Sequence, residues 1–194
     1  TRETAVPNDT KWASDEWSAF YPADNNWGVE AINAMGAWEH FNQMQNVKVG
    51  VLDSMFDTQH EDLNYTEVWN NPTTTNGFSN SDRSHGTHVS GTIATAYNNG
   101  VGIAGVAPKT TLYGYSIFGN SDTTTNAMVG LMEWKYALAK VVGNNCKVVN
   151  VSMGYNAKPS DQYLQYEAGV LGDFLSKLLN KGYDFVIVQA AGNS

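Results

Sequence analysis

One segment of the chain, Val47-Lys48-Val49-Gly50-Val51-Leu52-Asp53, consists mostly of β-branched and apolar residues and ends on an aspartate. A short apolar run of this kind predicts a buried strand of a parallel sheet. Similar runs predict three more strands, at residues 112–117, 147–151 and 185–188. We therefore expect Asp53 to lie at the carboxyl end of a buried strand.

Apolar residues also recur at helical spacing along the chain. The helical segments predicted in this way are 27–41, 85–96, 124–142 and 160–179. Ser160 or Asp161 is expected to cap the last helix, and the polar residues 72–84 are expected to form a surface loop. Strands and helices in alternation predict an α/β fold, a doubly wound parallel sheet with helices on both faces.

The composition excludes several classes of protein. The 194 residues carry 11 Lys and Arg against 19 Asp and Glu, a net charge of −8, whereas a nucleic-acid-binding protein normally presents a basic face. No run of about 18 apolar residues occurs, so no membrane span is predicted. Cys146 is the single cysteine, which excludes an internal disulfide framework. We expect it to be a small buried residue or an inert surface thiol.

The chain is expected to form an amino-terminal arm followed by one domain. Residues 1–26 mix aromatic and polar side chains, and we expect this arm to pack on the domain of residues 27–194 through its aromatics. The chain ends at Ser194, directly after the last predicted strand, where a covering helix normally follows. We therefore expect residues 27–194 to be the amino-terminal part of a longer domain, truncated at its carboxyl end.

Polar residues with complementary chemistry follow the predicted strands. Asp53 follows the first strand and Asn193 the last, while His85 stands at the start of a predicted helix. Ligands bind beyond the carboxyl ends of the strands in open parallel sheets. There an aspartate can orient a histidine, the histidine can act as a general base, and an asparagine amide can donate to an oxyanion.

Four segments match the motifs of a known family, in the family's order. They are residues 49–55, 85–92, 148–154 and 190–193, and residues 100–108 are similar to a further stretch of that family. On these segments the chain resembles the subtilisin-like serine proteases, the subtilases, over about residues 27–194. The spacing of 32 residues between Asp53 and His85 is also typical of the family.

The resemblance implies a secreted serine endopeptidase, a hydrolase that acts through an Asp-His-Ser triad. Asp53 would hold the imidazole of His85, which would take the proton of a serine nucleophile and pass it to the leaving amine. Asn193 would donate its amide to the oxyanion. The substrate-binding residues implied in the same way are Ser152, Met153, Gly154, Phe118 and Gly119.

The chain departs from the family in three ways. The family's serine stands in a Gly-Thr-Ser segment downstream of the asparagine motif, and no Gly-Thr-Ser occurs in the 194 residues. The chain alone is therefore expected to be inactive, and a carboxyl-terminal fragment of the same protein is the expected partner that carries the serine. Tyr155 replaces a glycine beside the specificity pocket, which it would narrow or cover. Met55 replaces a glycine in the aspartate motif and is expected to affect packing more than mechanism.

A calcium site is also implied by the resemblance. In many subtilases an Asn-Asn-x-x-Gly loop and a second aspartate hold Ca²⁺, an ion that takes about six to eight oxygen ligands. The matching groups are the side chains of Asp62 and Asn99 and the carbonyls of Tyr97, Val101 and Ile103. One residue is inserted before this loop, within 95–97. No organic cofactor is expected.

Other hypotheses stay open at this point. The chain could be an inactive subtilase-derived fragment that serves as a binding or scaffold module. His85 and His88 are one helical turn apart and could bind zinc, although no third ligand is evident. Ser90 and Ser194 stand outside any nucleophile motif. The leading hypothesis remains a subtilisin-like endopeptidase that acts on peptide or protein substrates outside the cell or at its surface.

Overall fold

The computed structural model describes residues 7–9, 27–72, 80–118, 130–154 and 159–192. The chain divides into two compact units, and each is described by itself. The first unit comprises Thr1–Asn46, Thr58–Asn64 and His88–Thr110. The second comprises Val47–Asp57, Tyr65–Thr87 and Thr111–Ser194.

A five-stranded parallel sheet forms the centre of the second unit. Its strands are β1 Val47–Asp53, β2 Tyr65–Asn70, β3 Thr110–Ser116, β4 Val148–Val151 and β5 Val186–Gln189. Their order across the sheet is β2-β3-β1-β4-β5. The four strands predicted from apolar runs are confirmed, and so is the parallel α/β fold. β2 was not predicted, because its exposed Thr66 and Glu67 interrupt any apolar run.

Five α-helices occur in the described part of the chain. They are α1 Trp27–Ala31, α2 Ala34–Trp38, α3 Asn80–Ala94, α4 Leu131–Gly143 and α5 Asp161–Asn180. The Ser160 hydroxyl accepts the Tyr163 amide at 3.2 Å, so the predicted N-cap of α5 is confirmed. α3 begins at Asn80 rather than at residue 85, so the loop predicted over 72–84 is wrong in its last five residues. None of the described helices combines the length and the apolarity needed to cross a bilayer.

Helices α4 and α5 contribute to the main hydrophobic core of the second unit. The fully buried Leu52, Val141 and Val149 come from β1, α4 and β4 respectively. Gly50 allows α4 to approach β1 closely, because a Cβ at this position would lie 2.8 Å from the Val141 Cβ. This packing fixes the position of β1 relative to α4, and therefore the position of Asp53 at the carboxyl end of β1.

The first unit has a separate small core around Trp38 of α2. The Trp38 ring lies 5.1 Å from the Tyr97 ring, and its indole nitrogen donates to the Val106 carbonyl at 3.1 Å. The single helix predicted over 27–41 is wrong: the segment forms α1, α2 and a 3₁₀ turn at Phe41–Gln43. Asn33 adopts a left-handed conformation with φ of 54°, which a continuous right-handed helix does not allow.

β1 is the central strand of the sheet, with β3 and β2 on one side of it and β4 and β5 on the other. β1 lies between β3 and β4, so the crevice beyond its carboxyl end is the topological switch point. Asp53 is the last residue of β1. The fold therefore places this carboxylate where ligand sites occur in open α/β sheets.

Candidate active site

Asp53 and His85 are brought together at the carboxyl end of β1. The His85 Nδ1 lies 2.7 Å from the Asp53 Oδ1. The Ser54 amide donates to the same Oδ1 at 2.7 Å. Asp53 is 1% exposed and the His85 side chain is 61% exposed. A buried carboxylate thus holds one ring nitrogen of an imidazole that is otherwise open to solvent.

Two hydrogen bonds join the loop after β1 to the helix that carries His85. The Gly86 amide donates to the Ser54 Oγ at 3.1 Å, and the Asp57 amide donates to the Thr87 Oγ1 at 2.8 Å. Gly86 is needed here because a Cβ at this position would lie 2.5 Å from the Met55 carbonyl oxygen. These contacts, made by the two residues that directly follow His85, fix the distance between the helix and Asp53.

The second carboxylate oxygen of Asp53 has a different environment from the first. Oδ2 is buried, and it has no hydrogen-bond partner among the residues that the structure describes. A charged oxygen in this position is costly unless a donor reaches it. Oδ1 is thus the oxygen through which Asp53 contacts His85.

The predicted substrate-binding residues that the structure describes follow β3 and β4, the two strands on either side of β1. Ser152, Met153 and Gly154 directly follow β4; the first two are half-buried and Gly154 is exposed. The side-chain amide of Asn150 donates to the Ser152 Oγ at 2.9 Å, and this bond connects the end of β4 to the segment after it. Phe118 follows β3 and, like Met153, packs against the main core.

Two predicted residues, Gly119 and Asn193, lie outside the described residues. The chain is described as far as Gly192, which directly follows β5 and Ala190-Ala191 and has a φ of 102°. Only glycine adopts this conformation without strain. The backbone therefore turns sharply immediately before Asn193.

The residues of the implied calcium site belong to the first unit, where a loop wraps around the buried Asp62. The Asn99 side-chain amide donates to the Asp62 Oδ1 at 2.9 Å, and the Ile103 amide donates to Oδ2 at 3.1 Å. Gly102 has a φ of 56°, and a Cβ there would collide with the Asp62 carboxylate. Tyr97 and Val101 belong to the same loop, so all five implied residues are close together along the chain or in space.

Sequence reasoning missed a second carboxylate at this loop. Asp9 is buried, and its two oxygens accept the backbone amides of Asn98 at 3.0 Å and Asn99 at 3.4 Å. The neighbouring Asn8 accepts the Gly100 amide at 2.9 Å. About 90 residues separate these partners, and no local pattern marks Asp9 as different from the other acidic residues of the arm.

The chemistry of this cluster fits a hard divalent cation. Burial is the main influence on the Asp62 carboxyl and raises its pKa; hydrogen bonds from Asn99 and Ile103 act against this, and the charge of Asp9 adds to the rise. A Ca²⁺ ion would neutralise two buried carboxylates and use only oxygen ligands. The described residues contain no group of three or more His, Cys, Asp or Glu side chains suited to a metal, so main-chain and amide oxygens would have to complete this site.

The remaining candidates have other environments. His88 is exposed on α3, and Ser90 is fully buried on the same helix. Cys146 is buried in the main core, and desolvation raises the pKa of its thiol to about 11 although the charge of Lys48 acts in the opposite direction. A buried thiol that keeps its proton is unreactive, which agrees with the prediction of a small buried residue.

Comparison with known proteins identifies the family. The family model described as the Subtilase family matches residues 44–194. Subtilisin of Bacillus pumilus is 35% identical over 130 residues, which cover 66% of this chain and 44% of that protein. Subtilisin Savinase of Lederbergia lenta is 33% identical over 174 residues, covering 87% of this chain and 55% of the relative.

Subtilisin amylosacchariticus of Bacillus subtilis subsp. amylosacchariticus is 32% identical over 169 residues, which cover 86% of this chain and 39% of that protein. The chain thus spans between 39% and 55% of the length of these three relatives. The family match includes Asp53, His85 and the segment after β4. Sequence, sheet topology and the Asp53–His85 pair agree with one another. The chain belongs to the subtilase family.

Proposed function

We propose that the chain supplies the aspartate, the histidine and the oxyanion asparagine of a subtilisin-type serine endopeptidase. The observation that carries the proposal is the 2.7 Å contact between Asp53 Oδ1 and His85 Nδ1, with the first side chain buried and the second exposed. This is the arrangement that a general base needs, since one ring nitrogen is oriented and the other is free to exchange a proton.

In the proposed reaction, the proton on Nδ1 of His85 stays in the hydrogen bond to Asp53. The other nitrogen, Nε2, accepts the proton of the serine hydroxyl as the serine oxygen attacks the peptide carbonyl. Asp53 remains ionised and stabilises the imidazolium. The imidazolium then returns the proton to the leaving amine as the peptide bond breaks. A water molecule repeats the sequence on the acyl-enzyme and releases the second product.

The groups around this pair have supporting roles in the proposal. Main-chain groups of Ser152, Met153 and Gly154 would bind an extended peptide as an added strand, and Phe118 with Gly119 would line the opposite edge of the cleft. The Asn193 side chain would stabilise the oxyanion, a contribution of about 100- to 1000-fold in rate. The turn at Gly192 supports this role, because it redirects the backbone at the end of β5.

Calcium has a structural part in the proposal. Asp62, Asp9 and Asn99, together with the carbonyls of Tyr97, Val101 and Ile103, would hold one Ca²⁺ ion. The ion would neutralise the two buried carboxylates and stabilise the loop. The serine would come from polypeptide beyond residue 194, in the same chain or in a second fragment, and the protein would act outside the cell or at its surface.

The test uses a fluorophosphonate probe, which forms a covalent bond with an activated serine. We expect no labelling of residues 1–194 alone, and labelling together with peptide hydrolysis when the Gly-Thr-Ser segment of the same protein is present. His85→Ala in the complete protein is expected to abolish both signals. A complete protein that contains the serine segment but neither reacts with the probe nor cleaves peptides would contradict the proposal.

A second candidate, an inactive binding or scaffold module, is favoured by one observation. Among the described strands β5 is the outermost on its side of the sheet, and its Val186 and Val188 are 60% and 51% exposed. Exposed apolar residues on an edge strand can recruit another chain. If residues 1–194 are monomeric and unfold cooperatively, the module reading gains support. If they aggregate until the serine-bearing fragment is added, the peptidase proposal gains instead.

A further inference from the structure

The chain contains the dipeptide Asn-Gly twice, at Asn76-Gly77 and at Asn99-Gly100. Asparagine is chemically labile before glycine, because a residue without a side chain lets its backbone nitrogen reach the asparagine side chain. The nitrogen forms a bond to Cγ, the bond from Cγ to the side-chain nitrogen breaks, and ammonia leaves with the proton of the backbone amide. Water then opens the resulting succinimide ring and yields aspartate or isoaspartate. Asn76 lies outside the described residues, whereas Asn99 belongs to the loop around Asp62.

The turn of this loop requires the glycine at position 100. Gly100 has a φ of 75°, a conformation that glycine adopts without strain. A Cβ at this position would meet none of the described residues within 4 Å, and the neighbouring Asn99 is exposed. The backbone therefore retains the labile dipeptide, and the packing around it leaves the dipeptide open to solvent.

Hydrogen bonds hold both reacting groups of the dipeptide. The Asn99 side-chain nitrogen donates to the Asp62 Oδ1 at 2.9 Å, and the Asn99 Oδ1 accepts the Val101 amide at 3.0 Å. The attacking nitrogen is that of Gly100, and its proton is donated to the Asn8 Oδ1 at 2.9 Å. The nitrogen has to release this proton and turn towards Cγ before it can attack. The bond to Asn8 therefore opposes the reaction.

Asn8 is held on the loop by further contacts. Its backbone amide donates to the Asn98 Oδ1 at 3.0 Å, and the next residue, Asp9, accepts the backbone amides of Asn98 and Asn99. All of these partners belong to the first unit. Exposed segments open locally at a much smaller free-energy cost than that of unfolding the whole protein. Release of Asn8 and Asp9 would therefore free the Gly100 nitrogen while the rest of the protein stays folded.

We propose that Asn99 is a deamidation site that Asn8 keeps closed. When Asn8 and Asp9 leave the loop, the Gly100 nitrogen attacks Asn99, which becomes aspartate or isoaspartate. The product places a new negative charge beside the buried Asp62 carboxylate, which the Asn99 side chain contacts, and like charges at this range repel. The modified loop binds residues 8–9 more weakly, so the reaction makes the opening permanent. The inference does not depend on the proposed peptidase activity.

The test measures the conversion of Asn99 in the full-length protein by mass spectrometry of its proteolytic peptides, with His85→Ala in every sample to prevent self-cleavage. In urea, Asn76 and Asn99 should react at similar rates, and folding should slow the reaction at Asn99. Asn8→Ala should accelerate it about 2- to 10-fold, since one hydrogen bond is lost, and leave the rate at Asn76 unchanged. Asn8→Asp retains an acceptor oxygen and should keep the slow rate.

The proposal is overturned if Asn99 reacts no faster in Asn8→Ala than in the protein with Asn8, or as fast in the folded protein as in urea. An equal rise at Asn76 would show that Asn8→Ala had unfolded, and amide hydrogen exchange of the protein with Asn8 then decides. The Gly100 amide proton should exchange more slowly in the folded protein than in urea, and equal exchange rates would refute the closed site. None of these measurements uses peptide hydrolysis, so a failure of the peptidase proposal leaves them unchanged.

Discussion

Two buried aspartates, Asp53 and Asp62, differ in how their two carboxylate oxygens are hydrogen-bonded. Both oxygens of Asp62 accept hydrogen bonds from neutral amides, those of Asn99 and Ile103. Asp53 receives the Ser54 amide and the His85 imidazole on one oxygen, while its other oxygen has no partner among the described residues. The same side chain is thus enclosed by its loop in one unit and left incompletely bonded in the other.

The difference separates a structural carboxylate from one suited to chemistry. The amides of Asn99 and Ile103 hold Asp62 within its loop, although burial has the larger influence and raises the pKa of its carboxyl. Asp53 instead uses one oxygen to hold the imidazole of His85, at 2.7 Å. An incompletely bonded, buried carboxylate is poor for stability and effective for orienting an imidazole. This contrast supports the proposed roles more directly than burial alone.

The largest effect is expected when the two carboxylates are neutralised in turn in the complete protein. Asp53→Asn should lower kcat for peptide hydrolysis by about 10⁴-fold, because an amide favours the wrong histidine tautomer. Asp62→Asn should instead leave kcat nearly unchanged and lower the thermal stability and the stabilisation by calcium. Steady-state kinetics on both variants, below their melting temperatures, check this. Equal losses of kcat would contradict the assignment of different roles.

Cys146 tests what burial does to an ionisable group in an apolar environment. Desolvation raises the pKa of its thiol to about 11, from an ordinary value of 9.0. At pH 8 the folded chain should therefore react with iodoacetamide at least about 100-fold more slowly than the urea-unfolded chain. Because the folded state retains this proton to higher pH, stability should fall as pH rises from about 9 towards 11. Equal alkylation rates in the two states would contradict the prediction.

Two glycines of α3 test how tightly the Asp53 region is packed. Gly86→Ala should destabilise the chain by about 1–3 kcal/mol, because the new Cβ would press on the Met55 carbonyl and the Phe56 ring. Gly91→Ala is the matched control: its nearest neighbour would be the Thr95 Cγ2 at 3.7 Å. That change should stabilise the helix by about 0.5–1 kcal/mol. Urea unfolding curves measure both, and similar values for the two variants would refute the close approach at Gly86.

The smallest effect concerns calcium at the Asp62 loop. At a free concentration of ten times its Kd, Ca²⁺ should stabilise the chain by about 1.4 kcal/mol, since binding to the folded state alone shifts the unfolding equilibrium. Thermal unfolding with calcium and with a chelator measures this. The increment should disappear in Asp62→Ala and persist in Asp53→Asn, whose aspartate belongs to the other unit. A calcium response that survives Asp62→Ala would place the ion elsewhere.

Sequence patterns predicted the elements that have a clear local signature. The apolar runs located β1, β3, β4 and β5, and Ser160 located the start of α5. β2 escaped because an edge strand with exposed polar residues lacks an apolar run. The start of α3 and the break at Asn33 also escaped, since a polar first turn and a single left-handed residue leave the periodicity nearly unchanged.

By itself the sequence determined the family, the parallel α/β class and the order of the residues with chemical roles, because motifs and periodicities are local properties. Only the tertiary structure decided which atoms meet. It brought Asp53 to His85 and to the Ile117 amide, and in the first unit it brought Asp9 to the Asn98–Asn99 amides. These partners are separated by 32 to 90 residues, and strand register and loop closure, which set such distances, arise only when the whole sheet and its loops have folded.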